Sequence, residues 1–261
     1  MEVSEINVLI LAFGDAAAIH ADALTRHAQA WCAKPNCPLE TERGEMSRSA
    51  LLSVVSLQRV DLVVLVTVGP SVLYTDLGRE MLTACADRCL HLELGNVGGG
   101  ATDDASVAPK PHLRVSGGSV LAPDCDGPCV FAGFGQALFT GLFTKGMVGV
   151  DWADFRQVFR GSWWQVLAGF GQACGEGRAA LACDQAIAAL ECRAFDTTCY
   201  SAGFVVVGLP TDCAIWEFEH VADMFRRIAP AANFALAAPV LDDRTLEVAL
   251  LAGQRVDDAS T

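Results

Sequence analysis

"VLAGFGQACGEGRAALACDQAI", residues 166–187, is the segment that indicates the fold of this chain most clearly. It divides into an apolar run, a turn rich in glycine and a segment rich in alanine. The apolar run predicts a strand over 164–172, and the alanine-rich segment predicts a helix over 177–192. The stretch therefore predicts a strand, a loop and a helix in immediate succession.

The segments on either side extend this pattern into a mixed second half. Downstream, the sequence predicts a strand at 201–209, an amphipathic helix at 214–229, and a closing pair of strands at 233–240 and 245–252, separated by the turn-like "DDRT". Upstream, it predicts a helix at 151–163 and another at 129–144. The latter segment is apolar and aromatic all round, so we expect a central helix that is buried between two layers. The second half is accordingly predicted to be α+β.

The first half alternates between strands and helices. Continuous apolar runs predict buried strands at 6–12 and 61–67, and a shorter strand is predicted at 90–94. Helices are predicted between them, at 15–31, 47–58 and 74–89. This order indicates a parallel sheet of the doubly wound α/β type. Residues 95–118 carry six glycines and two prolines, and we interpret them as loop.

Composition excludes several classes of function. The 261 residues are 52% hydrophobic and carry a formal net charge of −13. Such a charge repels nucleic acid and anionic lipid, because both are bound through lysine and arginine. No stretch approaches the roughly 20 apolar residues that span a bilayer. The N-terminus, "MEVSEINVLILAF", lacks the basic start of a signal peptide, so we expect a cytoplasmic protein.

The eleven cysteines are expected to be reduced and structural. Two pairs, Cys85/Cys89 and Cys125/Cys129, have three intervening residues, whereas structural zinc sites prefer pairs with two. The sequence therefore predicts no metal site, and a zinc site at these two pairs is the alternative.

Two carboxylates lie three residues apart in "KGMVGVDWADFRQ", residues 145–157. Asp151 is a candidate N-cap that accepts the N–H of residue 153 or 154, with Asp154 as the acid of a capping box. Such a cap contributes about 1 kcal/mol. The alternative is a pair of acids placed for chemistry, and the local sequence favours the cap.

Several motifs of the second half resemble FtsZ, the bacterial relative of tubulin. The strand–loop–helix at 166–187 shares seven positions with that family: Gly169, Gly171, Ala173, Gly175, Glu176, Arg178 and Ala179. "EFEHV" (217–221), "LEVALLAG" (246–253) and "VGVDWADFRQVF" (148–159) are similar to further family segments in the same order. The resemblance covers about 130–253, and residues 129–144 fall where the family has its central helix.

The resemblance implies an FtsZ/tubulin-like fold. Its expected parts are a reduced nucleotide-binding-like α/β domain over 1–128, a buried central helix over 129–145, an FtsZ-like α+β domain over 146–253, and a short tail over 254–261. Family members usually continue through a linker to a peptide that docks membrane anchors and regulators. The sequence ends at Thr261 without that peptide, so we do not expect direct recruitment of the usual division partners.

The resemblance also places the family's phosphate loops in this chain. The first corresponds to the turn with Gly14 and the second to the turn with Gly69. Phosphate loops need glycines so that backbone N–H groups approach the phosphates. Here Asp15 adds a negative charge, and Pro70 removes a donor. We therefore expect a shortened, degenerate site with Gly14 and Gly69 as remnants and no bound cofactor; GTP with magnesium is the alternative.

In the family, acids of the loop after the central helix reach the nucleotide of the next subunit and orient the attacking water. Asp151 and Asp154 occupy those positions, so the resemblance implies a catalytic role in trans for both, compatible with the cap. Three functions stay open. The first is a pseudo-GTPase that assembles head to tail with itself or with a true FtsZ-like GTPase. The second is an active, polymerising GTPase, and the third is a binding scaffold that does not polymerise.

Overall fold

The computed structural model describes eight stretches of the chain: 8–13, 62–68, 88–95, 112–116, 135–160, 164–191, 200–241 and 244–255. The chain divides into two compact units, and the first contains four strands. They are β1 (Val8–Phe13), β2 (Leu62–Val68), β3 (Cys89–Gly95) and β4 (His112–Ser116). All neighbouring pairs are parallel, which confirms the parallel sheet predicted for the first half.

The strands of the first unit follow from continuous apolar runs, which suit strands covered on both faces. Consecutive residues of β2 and β3 are buried, among them Val63, Val64, Leu90 and Leu92. One prediction is wrong here. Residues 95–118 are not entirely loop, because β4 lies within them, and His91 of β3 pairs with His112 of β4. Strand β4 has only two apolar residues, Leu113 and Val115, and lies among glycines and prolines, so it gives a weak strand signal. The predicted helices at 15–31 and 47–58 lie outside the described residues, and Cys89, predicted to end a helix, begins β3.

The described part of the second unit begins with a helix, α1, made of a π-helical turn at Gln136–Thr140 that continues as α-helix through Gly141–Phe143. Its strands are β5 (Gly146–Val148), β6 (Trp164–Ala173), β7 (Ala202–Pro210), β8 (Asn233–Leu241) and β9 (Leu246–Arg255). Its other helices are α2 (Trp152–Val158), α3 (Arg178–Glu191) and α4 (Ile215–Ile228). The strand order is β6-β9-β7-β8-β5.

Strand β7 lies at the centre of this unit and is buried along its whole length. Successive side chains of a strand point to opposite faces. On one face, Val205 and Val207 join a core with α3 and α4. On the other face, the ring of Phe204 meets the ring of Phe155 from α2 edge to face, with centroids 5.2 Å apart. A Cβ added at Gly141 of α1 would also press on Phe204, so α1 and α2 cover this second face.

Three expectations about the second half need correction. The closing strands are not paired with each other, because β7 lies between them, parallel to β8 and antiparallel to β9. The helix predicted at 151–163 ends at Val158, and Phe159 is its C-cap. The central helix, predicted to run as far as residue 145, ends at Phe143, and its described part holds a π-helical turn, which apolar periodicity does not reveal.

Within the described residues, none of the helices combines the length and the apolar character needed to cross a membrane.

Candidate functional site

The two carboxylates after the central helix form a reciprocal capping box. The backbone N–H of Asp154 donates to Oδ1 of Asp151 at 2.8 Å, and the N–H of Asp151 donates to Oδ2 of Asp154 at 3.2 Å. Asp151 is therefore the N-cap of α2, as the sequence predicted. Each carboxylate uses one oxygen in the cap, and both residues are exposed, so the cap fixes two negative charges on the surface.

The rest of α2 anchors this cap to the core. Phe155 is fully buried, and its ring lies 5.4 Å from that of Trp152 and 4.9 Å from that of Phe159. Its edge-to-face contact with Phe204 joins the helix to β7. Aromatic packing holds α2 against the core. The N-terminus of the helix, with its two capping acids, is therefore held in a fixed position.

The loop that leads into α2 exposes apolar side chains. Strand β5 pairs antiparallel with β8, and the carbonyl oxygen of Lys145 accepts the N–H of Val240 at 3.4 Å. Met147 is 50% exposed and Val240 is 45% exposed. Gly149 is open as well, with no atom within 4 Å of a Cβ placed there. Met147, four residues before Asp151, thus places an exposed apolar side chain in the segment that leads into the cap, whereas Val240 lies beside Lys145 at the other end of β5.

A buried ion pair joins the first turns of α3 and α4. The guanidinium of Arg178 donates from Nε to Oε1 of Glu217 at 2.7 Å and from Nη2 to Oε2 at 2.9 Å. A third donation, from Nη1, reaches Oδ1 of Asp212 at 2.9 Å. Arg178 and Glu217 are 7% and 5% exposed. The sequence had identified both residues as family positions, but nothing in their spacing indicated that they meet.

The hydrogen bonds between Arg178 and Glu217 shift the pKa values of both side chains. Hydrogen bonding from Arg178 lowers the pKa of Glu217 to about 2, although burial alone acts in the opposite direction. The same bonds from Glu217 raise the pKa of Arg178 above its ordinary value. Glu217 also accepts the N–H of Ala214 at 2.9 Å, so it caps the start of α4 as well. The cluster fixes the first turns of α3 and α4 against each other.

Four glycines allow β6, the turn after it and α3 to pack closely together. A Cβ at Gly169 would overlap the carbonyl oxygen of Ala186, and one at Gly171 would overlap that of Ala182. These two glycines therefore let α3 lie directly on the strand. Gly175 and Gly177 have φ of 82° and 71°, in the left-handed region that favours glycine. The turn after β6 depends on them.

The remaining sequence-based candidates fare differently. Gly14 and Gly69, the remnant phosphate loops, lie outside the described residues. Three of the four cysteines of the alternative zinc site, Cys85, Cys125 and Cys129, lie outside them too. Over the stretches that the structure describes, no three His, Cys, Asp or Glu side chains cluster in a way that would hold a metal ion.

The four cysteines of the described stretches are all free thiols. Cys89 and Cys183 are buried, Cys213 is half-buried and Cys174 is exposed. Burial raises the pKa of Cys183 to about 12 and that of Cys213 to about 11. The buried cysteines pack as small apolar side chains, as the sequence predicted.

Solved structures share this fold. An FtsZ W319Y mutant from M. jannaschii is 14% identical, with a TM-score of 0.63, over 95% of this chain and 91% of that one. CetZ2 from Haloferax volcanii, solved as a GTPγS-bound protofilament, is 11% identical, with a TM-score of 0.60, over 97% and 94%. TubZ of Bacillus thuringiensis serovar israelensis, solved as GDP-form protofilaments, is 7% identical, with a TM-score of 0.54, over 95% and 85%.

No family model matches the sequence, and no curated protein matches it. The likeness to these proteins is therefore a likeness of three-dimensional structure, and it concerns the fold. The α/β fold class with its parallel sheet, and the resemblance read from the motifs at 148–253, are both confirmed at the level of the fold. The chain has the FtsZ/tubulin fold.

Proposed function

We propose that this protein is an assembly subunit that contacts its neighbour head to tail through the end of the β5–β8 pair. The observation that carries the proposal is the capping box. It holds Asp151 and Asp154 exposed and fixed, and Met147, four residues before Asp151, is also exposed. A contact of this kind is heterologous and therefore extends into a filament if both faces are competent. The relatives that were solved as dimers or protofilaments support it.

The proposal assigns the chain a degenerate nucleotide site of its own. Asp15 and Pro70 stand in the two turns that correspond to the family's phosphate loops. A carboxylate there repels a triphosphate, and proline lacks the N–H that a phosphate oxygen accepts. A subunit that keeps its acids but lacks phosphate loops completes the site of a neighbour without having one. The neighbour with such a site is an FtsZ-like GTPase, whose growth the added subunit stops, whereas a second copy would assemble through the same face without nucleotide.

A diverged, active GTPase is the second candidate, favoured by the retention of both acids. Nucleotide content separates the two. The protein is purified, denatured, and the released bases are separated by chromatography. We expect guanine nucleotide far below one per chain and negligible GTP turnover. A stoichiometric GTP or GDP peak, or a turnover that disappears in Asp151→Asn, would establish the active enzyme instead.

The assembly face is tested with variants that distinguish the negative charges of Asp151 and Asp154 from their role as the N-terminal cap of α2. Asn caps a helix about as well as Asp. The double variant Asp151→Asn, Asp154→Asn therefore keeps the helix start and removes both charges, whereas the double alanine variant removes both features. Sedimentation and electron microscopy are performed on each variant, alone and mixed with a polymerising FtsZ. We expect both double variants to lose self-assembly or the inhibition of FtsZ polymerisation. The single variant Met147→Ser should lose the same activity, because it removes the exposed apolar side chain.

The matched control for the apolar contact is Leu181→Ser, because Leu181 is an equally exposed apolar residue, at 52%, but lies on α3. It should assemble as the wild type does. If the double asparagine variant assembles and inhibits normally, the acids act only as a helix cap and the proposed face is wrong.

A further inference from the structure

A second surface feature lies at the ends of β6 and β7. A cleft of about 480 Å³ opens between the turn after β6, the start of α4 and Arg244. Its walls include Glu176, Asp212 and Trp216, and the ion pair of Arg178 with Glu217 forms part of its lining. The volume falls within the ordinary range of sites that hold a ligand or a side chain.

Two large apolar side chains stand exposed at the start of α4. Ile215 is 66% exposed and Trp216, which lines the cleft, is 57% exposed. Their outward position is imposed by Glu217, which is drawn inward by Arg178. Consecutive residues of a helix are rotated by roughly 100° about its axis. When Glu217, the third residue of α4, faces the core, Ile215 and Trp216 therefore face solvent. The buried ion pair therefore holds the indole ring at the mouth of the cleft.

Arg178, one of the two arginines that line this cleft, has no N–H left for an anion. Its five donors are all used: two by Glu217, two by the side chain and carbonyl of Asp212, and one by the carbonyl of Arg244. Phosphate or carboxylate ligands are bound through such donors. Arg178 therefore offers no donor to an anionic ligand in this cleft.

The charge of the cleft instead favours a cation. Three carboxylates and two guanidiniums line the cleft, which leaves a net charge of −1. Glu176 is exposed, and the Asp212 side chain is 64% exposed although it pairs with Arg178. Glu219, also exposed, lies three residues after Trp216 on α4 and adds a carboxylate to the same side of the helix. An indole ring between carboxylates is a favourable place for a guanidinium or ammonium group.

We propose that this cleft binds an arginine or lysine side chain, flanked by apolar residues, from a segment of a partner protein. The alkyl stem lies along Trp216, the apolar neighbours cover Ile215, and the cationic head reaches Asp212 and Glu176. Charge complementarity selects this occupant, because the chain itself carries −13 and a second copy brings the same sign. The proposal is independent of the head-to-tail contact, which uses the β5–β8 pair.

The test measures binding of capped peptides Ac-Leu-X-Leu-amide, in which X is Arg, Lys, Gln or Glu, by titration calorimetry with the full chain. We expect saturable binding below about 1 mM for the Arg and Lys peptides, with Arg tighter. The Gln and Glu peptides should bind at least about fivefold more weakly, and added salt should weaken the Arg peptide.

Site variants are compared with matched controls on α3. Trp216→Ala removes the ring and should weaken the Arg peptide about fivefold or more, and Glu176→Gln about two- to fivefold. Leu181→Ala and Asp184→Asn change an exposed apolar and an exposed acidic residue outside the cleft and should bind as the wild type does. All four positions are exposed, so the variants should fold.

Three results overturn the proposal. The first is no saturable binding of the Arg peptide. The second is equal binding of the Arg and Gln peptides, or equal losses in site and control variants. The third is a Trp216→Ala protein that loses self-assembly while no peptide binds, which identifies a second copy as the occupant of the cleft.

Discussion

The buried pair of Arg178 and Glu217 allows a quantitative prediction, with Glu217→Gln as the perturbation. Glutamine keeps the shape and one acceptor but removes the charge. Removing one partner of a buried ion pair costs about 3–5 kcal/mol, and Asp212, still paired with Arg178, places this case at the lower end. Lowering the pKa of Glu217 from 4.5 to about 2 corresponds to about 3 kcal/mol. Both routes predict that the free energy of unfolding falls by about 3 kcal/mol at pH 7.

The pH dependence provides an independent check. The folded-state pKa of Glu217 lies below its unfolded value, so its contribution is fully present above pH 4.5 and declines as the pH falls toward 2. At pH 3 the difference between wild type and Glu217→Gln should shrink to about 1.4 kcal/mol. The assay is urea unfolding at several pH values, followed by circular dichroism and tryptophan fluorescence.

A charge on the outside of the same helix is the control. Asp223 pairs with Arg226 at 3.2 Å, and both side chains are more than 60% exposed. Asp223→Asn should change the free energy of unfolding by less than about 1 kcal/mol, because exposed pairs are screened by water. The reasoning is refuted if Glu217→Gln costs no more than this control, or if its cost does not decrease between pH 7 and pH 3.

Further predictions concern packing, backbone and thiols. Gly171→Ala should destabilise the protein by about 1–3 kcal/mol, because the added methyl overlaps the backbone of α3, whereas Gly149→Ala, in open space, should be nearly neutral by thermal unfolding. Gly175→Ala should cost about 1–2 kcal/mol through its φ of 82°, and unchanged stability would contradict the left-handed turn. In a timed alkylation at pH 8, followed by peptide mass spectrometry, Cys174 should react before Cys183, whose pKa burial raises to about 12; equal rates would contradict the burial.

Local sequence determined the elements of the second half and the cap. Strands β6, β7 and β8 and helices α3 and α4 lie within one or two residues of their predicted bounds, because apolar periodicity, glycine and alanine act over short distances along the chain. The capping box at Asp151 and Asp154 is likewise complete within four residues, so its geometry follows from sequence alone. The motifs at 148–253 were also sufficient to indicate the fold.

Contacts between residues far apart in the chain could not be predicted in this way. Glu217 follows Arg178 by 39 residues, and only the packing of α3 against α4 brings the charges together. A signal was present, since an acid three residues after Ala214 and before an apolar run is half of a capping box, but it does not name the arginine. Strand order is equally non-local: β7 lies between β8 and β9 because it is apolar on both faces and is buried by helices on each side. The spacing of apolar residues along the chain determines which face of a helix or strand is apolar. Which other element covers that face depends on the packing of the whole unit.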